Sequence, residues 1–134
     1  MRILVDTGVF SASISRRRRA RFEPQVGLMA GQQIFLAAVT VVELRYGALV
    51  AGWGDQRRQR LEQSIAATTV VPVSDALLNT TAELRHACRQ VGHALHEPVH
   101  ANDLWIAASA LHIGAPILTT DAVFDGIPGL TLHR

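Results

Sequence analysis

The feature that most constrains this chain is an alternation of brief apolar runs with longer stretches of helical period. Arg2 to Val5, Gln33 to Ala37, Thr69 to Val73, Pro116 to Thr119 and Leu130 to His133 each read as a short strand. Between them, Leu77, Thr81, Leu84, Cys88 and Val91 recur at helical spacing, as do Leu104, Ala107, Ala108 and Leu111. Gly92 and Gly114 follow as C-terminal stops. Leu61 and Ile65 mark a further amphipathic helix whose polar side carries Arg57, Arg58 and Arg60. Strands separated by helices cannot close as tight hairpins, so they return by crossovers and lie parallel. The expected fold is therefore α/β, a central mostly parallel β-sheet flanked by helices on both faces. A chain of 134 residues is expected to make one domain, 1–134, because either half alone falls in the marginal size range.

Composition narrows the function classes. A hydrophobic fraction of 49% with 18% charged residues excludes disorder, collagen-like repeats and an extended coiled coil. The single cysteine, Cys88, provides neither an internal disulfide nor a thiolate zinc cluster. Asp6 interrupts the opening apolar run and no segment is long enough to span a bilayer, so a soluble cytoplasmic protein with no membrane partner is expected. All 13 basic residues are Arg, a forked donor suited to phosphate. Arg16, Arg17, Arg18, Arg19 and Arg21 form one cluster and Arg57, Arg58 and Arg60 another. Such runs serve either as solvated surface or as a grip on nucleic acid, and GC-rich coding explains the all-Arg usage equally well.

Four acids stand out: Asp6 after the first strand, Glu43 in TVVELRYG, Asp103 in NDLWIAASA and Asp121 in LTTDAVF. Residues just past parallel strands lie on the carboxyl edge of the sheet, which places Asp6, Glu43 and Asp121 on one rim. The helix of Asp103 leads into the strand Pro116 to Thr119 and must run antiparallel to it, so it starts at the same edge. Acids also cap helices, each contributing about 0.3 to 1 kcal/mol, and Thr40 to Glu43 matches a capping box. Four carboxylates sharing one cleft repel one another unless a cation intervenes, and oxygen-only ligation suits Mg²⁺ or Mn²⁺.

These strings, VDTGVF, TVVELRYG, NDLWIAASA, LTTDAVF and the terminal IPGL, resemble in order and interval the PIN-domain endoribonucleases, and more narrowly the VapC-type toxins of toxin-antitoxin pairs. The resemblance runs from Val5 to Leu130. It implies that Asp6, Glu43, Asp103 and Asp121 are the catalytic metal site, with Thr7, Asn102 and Thr120 as polar neighbours. It also implies RNA hydrolysis by water activated on one or two Mg²⁺ or Mn²⁺ ions, leaving a 5′-phosphate and a 3′-hydroxyl. A homodimer and a small cognate antitoxin are the implied protein partners, and Tyr46 and Trp53, at the end of the Glu43 helix, mark a surface for one of them. Gly8 departs from the family, which often has Ser or Asn there.

Three rivals are set against that reading. HEPVH at His96 to His100 matches the zinc-protease pattern, but Pro98 breaks the continuous helix such a site needs. A metal-free ribonuclease would need an ordered His pair, which nothing in the spacing of His93, His96 and His100 provides; His100 lies three residues before Asp103 and is expected to be accessory. A non-catalytic nucleic-acid-binding module would use Arg16 to Arg21 and leave the acids as caps. Trp105 and Cys88 lie in apolar helical periods and are expected to pack in the core.

Overall fold

The computed structural model describes residues 1–133. Strand β1 (Arg2–Val5) runs into helices α1 (Thr7–Ser13), α2 (Arg16–Arg19) and α3 (Glu23–Gly27). Strand β2 (Gln33–Leu36) leads to α4 (Ala38–Val50) and α5 (Asp55–Ala66), and β3 (Thr69–Val70) leads to α6 (Asp75–Gln90). Two 3-10 turns, Ala94–His96 and Pro98–His100, precede α7 (Ala101–Ile113), and β4 (Ile117–Leu118) is followed by a third turn, Ala122–Phe124.

The strands lie in the order β3-β2-β1-β4, and every pairing is parallel. Leu4 sits opposite Phe35 on one side and Ile117 on the other. Successive strand side chains point to opposite faces. Leu4, Phe35 and Ile117 therefore enter one core with Leu77, Leu84, Leu95 and Ile106. Ile3, Val5, Leu36 and Leu118 enter the other with Val9, Phe10, Leu44, Leu61 and Ile65. Helices cover both faces, which is why these strands read as continuous apolar runs rather than as alternation. Cys88 is fully buried and Trp105 packs against the same core, as expected of both.

Three sequence expectations shorten or shift. The run from Thr69 yields only Thr69–Val70 as strand; Val71 N–H still donates to the Leu36 carbonyl at 2.9 Å, but Pro72 has no N–H to continue the ladder. Leu130 to His133 is not a strand but a single parallel bridge from Leu132 to Ile117. The left-handed turn at Gly129 (φ 78°) brings the chain beside β4 only at that point. Val91 is 64% exposed, because α6 ends at Gln90 and Val91 is its cap rather than part of the core stripe.

Strand order fixes where a ligand is received. From β1 the chain moves to β2 and β3 on one side, then crosses back to place β4 on the other. The crevice beyond the carboxyl ends of β1 and β4 is thus the topological switch point, where the flanking crossovers diverge and leave the strand ends uncovered.

Candidate active site

Asp6 follows β1 directly and caps α1: its Oδ1 accepts from Val9 N–H at 2.8 Å. Its Oδ2 accepts from the Thr119 hydroxyl, at the end of β4. Hydrogen bonds thus hold the carboxylate from α1 on one side and from the end of β4 on the other. Asp121, two residues beyond Thr119, caps the turn Ala122–Phe124 by accepting from Val123 N–H at 2.9 Å. Asp103 lies in the first turn of α7, and His100 Nδ1 is 3.6 Å from its Oδ2.

Glu43 arrives by a route the sequence did not suggest. It is the sixth residue of α4, not a member of the first turn, and the expected capping box does not form. The cap is Ala37 and the helix begins at Ala38, because β2 ends at Leu36 and the chain turns at once into helix. Thr40 is consequently inside the helix and fully buried, with its hydroxyl 3.0 Å from that of Thr7. The Thr7 hydroxyl donates to Glu43 Oε1 at 2.9 Å, drawing that carboxylate towards α1.

Asp6, Thr7, Gly8, Glu43, Asp103, Ile106, Thr120 and Asp121 line one cleft of about 310 Å³. All four expected acids and two of the three expected polar neighbours meet there, although Asp6 and Asp121 are 115 residues apart. Asn102, the third neighbour, is exposed on the first turn of α7 and is not part of the lining. Thr119 was missed in favour of Thr120: both stand beside Asp121, and only the strand ending shows which hydroxyl turns towards Asp6. Thr40 was read as a cap and is instead part of the Thr7–Glu43 contact.

The electrostatic cost of gathering acids is visible. Burial raises the Asp6 carboxyl above its ordinary value, and the charges of Asp121 and Asp103 add to this, while Thr119 and Val9 N–H act in opposition. Asp103 is raised by burial and then by Asp121, with His100 lowering it. Among the described residues, no three His, Cys, Asp or Glu side chains converge on a single point closely enough to enclose an ion by themselves. The oxygens of Asp6, Glu43 and Asp121 are turned in part towards hydroxyl and N–H donors, and each carboxylate retains further lone pairs.

The histidine rivals fare differently. Glu97 is extended (φ −75°, ψ 142°) between two separate turns, so His96 and His100 share no continuous helix and the zinc-protease geometry is absent. His93 Nδ1 accepts from Leu95 N–H at 3.0 Å, which leaves Nε2 as the donor to the Asp125 carbonyl at 2.8 Å. His96 is bonded to the His93 carbonyl. Of these three histidines, His100 is the one beside an acid of the cleft, Asp103.

Residues 3–130 match the PIN-domain family model. This chain is a PIN-domain protein of the VapC type. It is 34% identical over 128 residues to Ribonuclease VapC5 of Mycobacterium tuberculosis, covering 94% of this chain and 87% of that one. Among solved structures, it is similar to a member of the VapBC family of toxin-antitoxin systems, VapBC-5 from Mycobacterium tuberculosis. The TM-score is 0.66 with 32% identity, covering 97% of this chain and 93% of that one. It shares its fold with VapBC2 of Rickettsia felis, solved bound to a promoter DNA fragment, at a TM-score of 0.79 and 22% identity, covering 99% and 98% of the two chains. The PIN-domain family is thus the one that the sequence motifs indicated, and the cleft of this PIN domain is the one the four acids line.

Proposed function

We infer that this chain is an endoribonuclease and the toxin of a toxin-antitoxin pair, hydrolysing RNA phosphodiester bonds in the acidic cleft. The observation that carries the reading is the convergence of Asp6, Glu43, Asp103 and Asp121 at the switch point in a chain related to a named VapC ribonuclease over nearly its whole length. A non-catalytic nucleic-acid-binding module built on Arg16 to Arg21 gives no reason for Asp6 to be buried beside the repelling charges of Asp103 and Asp121.

The donor set is oxygen-only and carries excess negative charge, which fits a hard divalent cation such as Mg²⁺ or Mn²⁺ and not a soft one. Asp6, Asp103 and Asp121 are the residues that would hold it, with Glu43 beside them. When bound, such an ion supplies a water of lowered pKa and neutralises charge developing on the phosphate. The protein's own part is positioning. Thr119 and Val9 N–H fix both oxygens of Asp6, Thr7 steers Glu43, and α7 delivers Asp103 through its first turn. His100 is an accessory group at the cleft mouth, and a 5′-phosphate and a 3′-hydroxyl are the expected product ends.

A small cognate antitoxin is the partner supported by the VapBC complexes, and a homodimer is the proposed assembly. The outer side of α4 offers the apolar surface for such contacts: Val42, Tyr46, Leu49 and Val50 are 64%, 67%, 63% and 68% exposed. Trp53 is less open, with the Arg57 guanidinium 3.9 Å over its ring. Among the described residues, no helix is long and apolar enough to cross a membrane.

The test is RNA cleavage by the purified protein with and without chelator. Loss of cleavage in EDTA, recovery with Mg²⁺ or Mn²⁺, and 5′-phosphate ends are expected. Cleavage in EDTA with 2′,3′-cyclic phosphate ends would overturn the carboxylate mechanism and point to the histidines.

A further inference from the structure

The acidic cleft alone repels the polyanion it is read to cleave, so something outside it must hold the substrate. The most concentrated positive charge in the chain is α2, whose four residues are all Arg and all exposed. At 3.6 residues per turn, four consecutive side chains point to every side of a helix. Such an array suits a flexible strand met in several orientations better than a fixed base sequence.

The position of α2 relative to the cleft is set by α1. Helix α1 starts at the Asp6 cap, Gly8 lines the cleft, and Ser11 lies three residues further on the same helical face as Gly8. Arg18 Nη1 donates to the Ser11 hydroxyl at 3.2 Å. Ser11 is five residues from Asp6, about 7.5 Å along the helix axis, a distance of the order of one nucleotide step. Gly8 leaves the intervening surface open: a Cβ there would meet only Asp6 Oδ1, at 3.8 Å.

Not all of the basic residues are equally available. Arg19 pairs with Glu23 at 3.7 Å, and Arg21 lies over the Phe22 ring at 5.6 Å. Among the described residues, Arg16 and Arg17 make no ion pair and no side-chain hydrogen bond, and Arg18 is bonded only to a neutral hydroxyl. In the second cluster, Arg58 pairs with Asp55 at 2.7 Å and Arg57 covers Trp53.

Resting on the ribonuclease reading above, we propose that single-stranded RNA leaves the cleft along α1, over Gly8 and Ser11, and that Arg16, Arg17 and Arg18 bind its phosphates next to the scissile bond. Each contact is a sequence-independent phosphate contact of the kind that releases counterions, so it contributes about 0.7 to the salt slope of single-strand binding. The Arg57 to Arg60 cluster lies on α5, which contributes no residue to the cleft lining, and is not assigned to this path.

The experiment is equilibrium binding of a fluorescently labelled single-stranded RNA to the Asp103→Asn protein between 50 and 200 mM salt, with EDTA present. The triple variant Arg16→Gln, Arg17→Gln, Arg18→Gln should flatten the log–log slope by about two and weaken binding by about tenfold or more at the lowest salt, for every RNA sequence tried. The corresponding Lys triple should restore the slope, which separates charge from folding. Arg57, Arg58 and Arg60 changed together to Gln should leave it as it was. An unchanged slope in the Gln triple, with the otherwise wild-type chain still cleaving RNA, overturns the proposal and leaves the ribonuclease reading standing. A Gln triple that loses duplex DNA or antitoxin instead, with RNA binding intact, also overturns it and assigns the surface to that partner. If the wild-type chain neither binds nor cleaves RNA, the ribonuclease reading falls and the proposal with it.

Discussion

Replacing Thr119 with Val tests whether the Asp6 carboxylate is held charged by its neighbours. Asp6 is 6% exposed, and its Oδ2 has the Thr119 hydroxyl as its donor. Val keeps the shape and removes the donor, leaving a buried charged oxygen without its partner. A hydrogen bond to a charged group contributes about 1.5 to 3 kcal/mol. For a domain of this size the loss lowers the melting temperature by roughly 5 to 10 °C. The effect has a sign in pH. Asp6 is already raised above its ordinary value of 3.8 by burial, so its charge costs stability as pH rises from that value through the raised one. Thr119 opposes the shift; without it the carboxyl rises further and the penalty grows through that window, then levels off. Below the window Asp6 is neutral in both proteins, and the cost shrinks to that of a neutral bond, about 0.5 to 1.5 kcal/mol. Urea unfolding of wild type, Thr119→Val and Thr119→Ser at pH 7 and near pH 3 measures this directly. Ser should restore most of the stability. A cost for Val that is the same at both pH values would refute the claim that Thr119 stabilises the ionised form.

Four further outcomes follow from the same geometry. Asp103→Asn keeps the side-chain shape at the start of α7 but removes a carboxyl whose charged form is disfavoured by burial and by Asp121. RNA cleavage should fall by at least about a hundredfold with the melting temperature unchanged or higher, and normal cleavage by this variant would remove Asp103 from the site. Binding of Mn²⁺ should weaken as pH falls, beginning above the ordinary carboxylate range because Asp6 and Asp103 both hold protons more tightly there; titration calorimetry across pH checks it. Gly8→Ala should stabilise the fold by about 0.5 to 1 kcal/mol, since the added Cβ meets nothing nearer than 3.8 Å; thermal melting decides. In cells, expression of the wild-type chain should arrest growth and Asp103→Asn should not, with co-expression of the cognate antitoxin relieving the arrest; a harmless wild type would end the toxin reading while leaving the nuclease reading to the RNA assay.

The sequence by itself determined the class of fold, because local periodicity is a local property: the four strands of the sheet, three of them shortened, and the helices α5, α6 and α7 lie where apolar runs and helical spacing placed them. It also singled out the acids that line the cleft, since Asp6 and Asp121 follow strands and Asp103 opens the helix that leads into β4, positions that share one edge in a parallel sheet. Strand order was decided only in three dimensions. Whether β4 lies beside β1 or beyond β3 depends on which packing buries Leu4, Phe35 and Ile117 in one core and Ile3, Leu36 and Leu118 in the other. That choice puts the Thr119 hydroxyl on Asp6, a contact between residues 113 apart that no spacing encodes. The same holds for Thr40 and Glu43. As letters they match a cap; in the fold the cap is Ala37, because the strand ends early, and the two side chains turn instead to Thr7. Charge was legible as composition, but only the fold shows that Arg19 and Arg58 are engaged in ion pairs within the protein while Arg18 reaches the Ser11 hydroxyl on α1. Periodicity and residue type are written along the chain, whereas hydroxyl partners, strand neighbours and free charges depend on which distant segments come within about 3 Å of one another.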